Sequence, residues 1–355
     1  MKKGSLTRRV TGIDQGDRFS HLCVLGTRGE VVERTRIRTT PAAYRKRFGG
    51  RRARGRVVLE VGPHSPWSSR LLESLGHEVI VANARRVKLI AKADRKTDRV
   101  DAETLARLGR VDPNLLSPIT HGGEAAQRDR ALLRVREGLV RCRTRLIQQA
   151  RSLTKALGER LPPASAEAFP RRVREAGVES LFPGLDELLE MVEVISKRIQ
   201  KLDCEVERAC RERHPVTARL RQVPGVGPIT ALAYVLKVED PTRFAKSREV
   251  GPFLALVPRE RSSGESRPEL GIPPRGDAML RRLLVQASHY ILGPFGPDTD
   301  LRRFGLALSE RGGKRAKKRA VIAVARKLAV LLHRLWVSGE TYQPLRTTRT
   351  EARAA

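Results

Sequence analysis

The chain has 355 residues and a formal net charge of +32, from 71 Lys and Arg against 39 Asp and Glu. A chain so basic repels itself unless something neutralises it, and phosphate contacts to nucleic acid are the usual neutraliser, with acidic membrane surfaces and ribosomal assembly as the competing readings. No apolar run reaches the roughly 18 residues of a membrane span, the opening MKKGSLTRRV lacks the apolar core of a signal peptide, and Cys23, Cys142, Cys204 and Cys210 show no CxxC spacing, so a cytoplasmic protein with reduced thiols and no zinc is expected.

In chain order, residues 9–118 predict alternating strand and helix. Strands are expected at 9–14, 21–26 and 30–38, with a turn at Gly26–Gly29. A polar helix follows at 42–47, a buried strand at 57–61, a helix at 66–75, a strand at 78–82 and a helix at 98–108 with an acidic first turn. Three sequential strands suit a meander, and the later units suit parallel crossovers. The order fits a ribonuclease-H-like mixed sheet.

Residues 124–213 change character. Leu132, Leu139, Leu146 and Leu153 recur every seven positions, with Val135, Cys142 and Ala156 on the companion positions and Gln149 as a polar break. A second run places Leu185, Val192, Ile199 and Val206 at one position and Leu188, Ile195, Leu202 and Ala209 at the other. Two long helices joined by the Pro-bearing segment 161–184 are predicted, forming a coiled-coil hairpin or a dimer seam. Residues 216–345 hold Pro/Gly-rich turns, a loop of Arg and Ser, and apolar-striped helices at 279–292 and 317–336; the polar tail beyond is expected to be disordered.

Four carboxylates stand out in the first block. Asp14 ends the first strand in VTGIDQG, Glu60 ends a buried strand in VVLEVG, and Asp98 and Asp101 share a helix face in KTDRVDAETL. A charge placed after Val57, Val58 and Leu59 needs a partner, and a divalent cation is one. Mg²⁺ takes oxygen ligands and bridges substrate phosphates. The plain alternative is that Asp14 caps a turn, Glu60 pairs with an arginine, and Asp98 and Asp101 complement a helix N-terminus.

Two further motifs follow. LRQVPGVGPITALAYV at 220–235 resembles a helix-hairpin-helix, in which Gly225 and Gly227 would let backbone N–H groups approach a phosphate. ALVPRERSSGESRPELG at 255–271 sets Ser262 and Ser263 beside Gly264, among Arg259, Arg261 and Arg267. A serine there could attack a phosphodiester, with the guanidiniums stabilising the developing charge; an ordinary turn serine is the alternative.

Taken in order, GID, LEVG, KTDRVDA, VPGVG, LVPRERSSG and RGDAMLRRLL resemble the DEDD transposases of bacterial insertion sequences, the "IS one-ten" family, over about residues 8–337. The resemblance implies a RuvC-like catalytic domain at 1–118, a helical coiled-coil linker at 119–215, a C-terminal transposase domain at 216–345 and a disordered tail at 346–355. It implies an acidic tetrad of Asp14, Glu60, Asp98 and Asp101 holding Mg²⁺, and Ser263 as a nucleophile forming a phosphoserine link to DNA, with Ser262 its near neighbour. Arg259, Arg261, Arg267, Arg275 and Arg281, with Gly225 and Gly227, are the expected nucleic-acid contacts. The implied partners are donor and target DNA, a structured non-coding RNA that selects them, and further copies of the chain through the helical linker, in a cytoplasmic, nucleoid-associated setting with no membrane. A metal-only RuvC-type nuclease and an inactive basic RNA-binding protein are the alternatives. The sequence departs from the family pattern at Asp17, where lysine is common, at Ala255, where glycine is usual, in EVGPHSPW after the glutamate, and at Pro273 and Pro274 in place of a Ser-Lys pair, which leaves Arg275 as the nearest cation.

Overall fold

The computed structural model describes residues 9–50, 54–83, 98–259, 270–273, 276–310 and 312–346, with the side chains of residues 98, 99 and 314 excepted. The chain divides into two compact units, Met1–Gly123 and Glu124–Ala355.

In the first unit β1 (Val10–Gln15), β2 (Phe19–Leu25) and β3 (Val31–Arg38) form an antiparallel meander. Helix α1 (Pro41–Phe48), β4 (Arg56–Glu60), α2 (Ser65–Ser74), β5 (Glu78–Ala82) and α3 (Asp98–Val111) follow. The strand order is β3-β2-β1-β4-β5, with β1, β4 and β5 parallel. The central strands read as near-continuous apolar runs because both faces are covered. One face packs Val10, Cys23 and Val58 against Ala102, Leu105 and Ala106 of α3. The other packs Ile13, Leu22, Val57 and Leu59 against Tyr44, Phe48 and Leu72 of α1 and α2. The predicted mixed sheet and its element order are observed.

Helix α3 lies unusually close to β1. A Cβ on Gly12 would stand 2.0 Å from the Ala102 carbonyl oxygen and 2.6 Å from the Ala106 nitrogen. At the other end of the helix, Gly109 sits on Val58, and its carbonyl accepts from Arg56 Nη1 at 2.7 Å. Arg110 reaches the Thr27 carbonyl in the β2–β3 turn at 2.6 Å. The helix therefore runs antiparallel to β1 and β4, and its first turn lies at the edge where those strands end.

The second unit begins with α4 (Glu124–Ala156), α5 (Phe169–Glu175) and α6 (Leu185–Glu212). It continues with α7 (Val216–Leu220), α8 (Pro228–Val238), α9 (Val250–Phe253), α10 (Ala278–Leu292), α11 (Asp300–Ser309) and α12 (Gly313–Ser338). Leu133 of α4 and Val206, Ala209 and Cys210 of α6 share one core with α8, α10 and α12, so packing joins 124–215 to the residues beyond it. A smaller cluster of Ala150, Leu161, Phe169, Val173, Leu185 and Leu189 closes the α4–α6 hairpin. Helices α5 and α11 are additions to the expected elements. No helix among the described residues is long and apolar enough to cross a membrane.

The α6 positions Leu185, Val192, Ile199 and Val206 are buried as their repeat predicts. The α4 repeat is corrected. Leu153, Val135, Cys142 and Ala156 are exposed, and Leu132, Leu139 and Leu146 are only half-buried. The buried positions are Asp129, Leu133, Arg143, Ala150 and Thr154. The helix is rotated by one residue because polar side chains on the inner face find partners. Arg143 donates to Ser196 Oγ at 3.1 Å and pairs with Glu167 at 2.9 Å, and Arg136 pairs with Asp203.

Asp129 anchors this arrangement. Its side chain is 6% exposed and accepts from Arg213 at 2.6 Å and from His214 at 2.8 Å. Burial works to raise its carboxyl pKa, but the hydrogen bonds from Arg213 and His214 outweigh that and hold it below the ordinary range. Asp129→Ala is expected to cost about 2 kcal/mol in urea unfolding, a modest figure because Arg213 is 43% exposed. A depressed carboxyl stabilises the fold above its unfolded pKa of about 4 and loses that contribution as pH falls through its lower folded value. The urea-midpoint gap between wild type and Asp129→Asn should be flat above about pH 5 and close on acidification.

Candidate active site

The strand register assembles two of the four carboxylates. Ile13 lies beside Leu59 in the parallel β1–β4 pair, so the next step places Asp14 beside Glu60. Side chains alternate across a sheet. Gly12 and Val58 face α3, so Asp14 and Glu60, two residues on, share that face. The same cross-strand row continues through His21, which pairs with Asp14, to Arg36, which pairs with His21. Helix α3 brings its first turn to this edge. Asp14, Glu60 and Asp101 are all half-buried. The side chain of Asp98 lies outside the described residues. Among the described residues, no three His, Cys, Asp or Glu side chains converge as metal ligands.

A polar network fixes the end of β1. Gln15 Nε2 donates to Tyr44 Oη at 2.8 Å and to Ser68 Oγ at 2.9 Å. Ser20 Oγ lies 2.8 Å from both Tyr44 Oη and Thr39 Oγ1, and Thr39 Oγ1 donates to the Gly16 carbonyl at 2.9 Å. Burial pushes the Tyr44 hydroxyl pKa up, so it stays a neutral donor and acceptor. After Glu60, Ser65 clasps the turn. Its Oγ accepts from Gly62 N at 3.0 Å and lies 2.8 Å from His121 Nε2. That clasp gives the departing GPHSPW segment a structural reason. Asp17 is 94% exposed and lies 3.6 Å from His64.

On the α3 side, Glu103 receives Arg34 at 2.6 Å and Arg107 at 2.7 Å. Hydrogen bonds from Arg34 and Arg107 hold its carboxyl below the usual range. Arg34 and Arg36, with His21, Leu22 and Thr35, line a cavity of about 470 Å³ along the β2–β3 face. Arg36 also stacks over Phe19, 4.3 Å from the ring centroid. His21 and Arg36 were missed at the level of sequence because their relation to Asp14 exists only through strand pairing.

In the second unit, the residues of the serine loop that carry the proposed chemistry, Arg261, Ser262, Ser263 and Arg267, lie outside the described residues, as does Arg275. The base of the loop is described. Arg259, exposed, donates its backbone N–H to the Gly271 carbonyl at 3.2 Å, which holds the two ends of the loop together. Arg281 hydrogen-bonds the Pro273 carbonyl, so this guanidinium ties the loop's exit to α10. Asp277 caps α10 by accepting from Leu280 N at 3.0 Å. Ala255 adopts φ +57, a left-handed backbone that a glycine takes without penalty. The alanine here accepts that strain while its methyl group packs near Gly276.

The glycines of the VPGVG turn differ. Gly225 has φ +80, and a Cβ there would stand 2.9 Å from the Ala287 carbonyl oxygen. Its missing side chain therefore serves the packing of the turn on α10. Gly227, which precedes α8, has open space where a Cβ would lie.

Comparison with known proteins agrees with this architecture. A DEDD-type transposase model of IS110 elements matches residues 11–157, and a model described as transposase IS116/IS110/IS902 family matches residues 217–298. The chain is 30% identical over 344 residues to the transposase for insertion sequence element IS1111A of Coxiella burnetii, covering 94% of this chain and 91% of the relative. It is 30% identical over 237 residues to the transposase for IS1328 of Yersinia enterocolitica, covering 65% and 69%. A probable family 20 transposase of Pseudomonas aeruginosa is 29% identical over 296 residues, covering 81% and 86%. With both halves of the chain matched and a relative aligned nearly end to end, the chain belongs to the IS110 family of insertion-sequence transposases, enzymes that cut and rejoin DNA.

Proposed function

We propose that this transposase works through two separate chemical groups: a RuvC-like, ribonuclease-H-type acidic tetrad of Asp14, Glu60, Asp98 and Asp101, and the nucleophile Ser263. The observation that carries the reading is the parallel pairing of Ile13 with Leu59, from which Asp14 and Glu60 follow as the next residues of adjacent strands, on the face packed against α3. The donor set is all oxygen and sits at an edge otherwise rich in cations, which suits Mg²⁺ rather than zinc. Mg²⁺ bound by these four carboxylates would polarise a phosphodiester and offset charge developing on its oxygens.

The rest falls to the chain's own groups. The Gln15, Tyr44, Ser20 and Ser68 network holds Asp14 in place beneath the substrate. Arg34 and Arg36 line the adjoining cavity and would carry a DNA backbone past the acidic row. Ser263 Oγ attacks a DNA phosphorus and loses its proton. A phosphoserine bond forms as the bond to a deoxyribose oxygen breaks, and that oxygen leaves protonated. Arg259, Arg261 and Arg267 stabilise the charge on the phosphoryl oxygens. Attack by a free deoxyribose hydroxyl on the phosphoserine reverses the step and rejoins DNA. Arg275, which follows this loop in the sequence, Arg281 on α10, and Gly225 and Gly227 at the turn before α8 would be further contacts to the nucleic acid.

Two partners complete the proposal. A structured non-coding RNA selects donor and target DNA, in keeping with the charge of +32, which suits extended contact with nucleic-acid phosphates. Further copies of the chain associate through the hairpin, where Val135, Leu153, Leu157, Met191 and Val194 are each at least 43% exposed.

Metal removal tests the acidic half. Strand cleavage by the protein with its DNA and RNA should vanish in EDTA and return with millimolar Mg²⁺. Cleavage that persists in EDTA would remove the metal from the account.

A further inference from the structure

A cavity of about 420 Å³ opens between α4, α8 and the start of α10, within the second unit and immediately after the serine loop. Its charged lining is Arg130, Arg134, Arg141 and Lys237 against Glu137 and Asp277. The two acids are already engaged. Glu137, 14% exposed, receives both Arg141 and Arg282. Asp277 accepts the α10 cap hydrogen bond through Oδ1. Arg130 is also fixed, by Glu239 and the Leu236 carbonyl.

Lys237 is different. It projects from α8 between buried Leu236 and Val238, and its ammonium lies 4.9 Å from the Phe253 ring centroid. Arg243 stacks over the same ring at 4.9 Å. Burial pushes the lysine below its ordinary pKa range; Asp277 and Glu239 oppose that, while Arg130 and Arg243 add to it. With Arg130, Arg134 and Arg141, the ammonium gives the cavity four cations against two carboxylates, and the cavity provides room for a further anion. Arg134 stands exposed at the mouth, where a second cation can reach the same anion.

We propose that this cavity is a phosphate site, in which Lys237 and Arg134 grip a backbone phosphate of the DNA strand brought to the serine loop. The inference rests on the DNA-cleaving reading above and adds a positioning site to it. Gly276 and Asp277, which line the cavity, are five and six residues past Gly271 at the loop's base. A phosphate held there would fix the strand beside the base of the serine loop, and phosphate contacts of this kind set register rather than sequence.

The test measures binding without chemistry. Full-length protein is titrated onto a fluorescein-labelled DNA duplex in EDTA over a range of KCl concentrations. Lys237→Met keeps the aliphatic stem and removes the charge. Arg134→Ala changes an exposed residue, so it remains informative if the buried substitution impairs folding. Lys201→Ala, an exposed cation on α6, is the control. Each cavity variant should bind DNA roughly tenfold more weakly, with the slope of log K against log salt reduced by about 1, while the control shifts less than twofold. Wild-type affinity and slope in both cavity variants would overturn the inference and leave the tetrad untouched. Weakening with no change in slope would mark a packing defect and also overturn it. So would calorimetric binding of ATP that Lys237→Met abolishes while DNA affinity stays the same, since the cavity would then serve a free nucleotide. A wild type that binds no DNA would overturn both this inference and the reading beneath it.

Discussion

Asp14→Asn should reduce DNA strand cleavage by on the order of a thousandfold while leaving DNA affinity within a few-fold of wild type. Asparagine keeps the shape of the side chain and the β1 register but removes one of two neighbouring anionic oxygen donors. Loss of a ligand from such a site forfeits several kcal/mol of transition-state stabilisation, and each 1.36 kcal/mol is about a tenfold change in rate. The change should appear in single-turnover cleavage of labelled DNA, with Glu60→Gln behaving alike. The hydrogen bonds of Gln15 to Tyr44 and Ser68 do not run through the Asp14 carboxylate, so the variant should remain folded by circular dichroism. Cleavage within tenfold of wild type would show that Asp14 is not a ligand.

The second large effect is steric. Gly12→Val should destabilise the first unit by about 3 kcal/mol and lower cleavage by a hundredfold or more. The new Cβ would overlap the backbone of α3 at Ala102 and Ala106, and backbone cannot give way as a flexible side chain does. The helix would have to lift from β1, which on the proposed reading would draw its first turn away from the strand ends that bear Asp14 and Glu60. A displacement of about 1 Å in a catalytic group can cost a hundredfold in rate. Gly50→Ala, with open space around its Cβ, is the matched control and should change neither property. Equal urea midpoints for Gly12→Val and wild type would contradict the close packing.

Much of the first unit was legible because its inner strands are apolar and buried and its turns carry glycine. The runs VVLEV and EVIVA, bounded by Gly55, Gly62 and Gly76, could be little else but strands, the first central and the second at the sheet edge. Asp14 and Glu60 stood out because they end such runs. The row they form with His21 and Arg36 was not legible, since it depends on which strands pair and in what register. The α4 seam was misplaced for a related reason. A heptad count sees leucines, and Leu132, Leu139, Leu146 and Leu153 lie one position from the buried stripe. The true stripe contains Asp129, Arg136 and Arg143, whose polarity hides them until Arg213, His214, Asp203 and Ser196 arrive from a helix some 50 to 85 residues later. Gly225 was read for close backbone approach to a phosphate; its positive φ and its contact with α10 give the glycine a further reason that the sequence does not show. Lys237 carried no signal at all, because an isolated lysine in an apolar helix gains meaning only from the cavity beside it.

Covalent capture tests the joint role of the tetrad and the serine most directly. The protein is incubated with DNA, its RNA and Mg²⁺, quenched in denaturant, and resolved for protein-linked DNA. The account predicts an adduct with wild type and none with Ser263→Ala, with the linkage mapping to Ser263 by mass spectrometry of the digested adduct. Strand cleavage at the wild-type rate by Ser263→Ala, with no adduct in either protein, would contradict it and leave a water-attacking, metal-only nuclease.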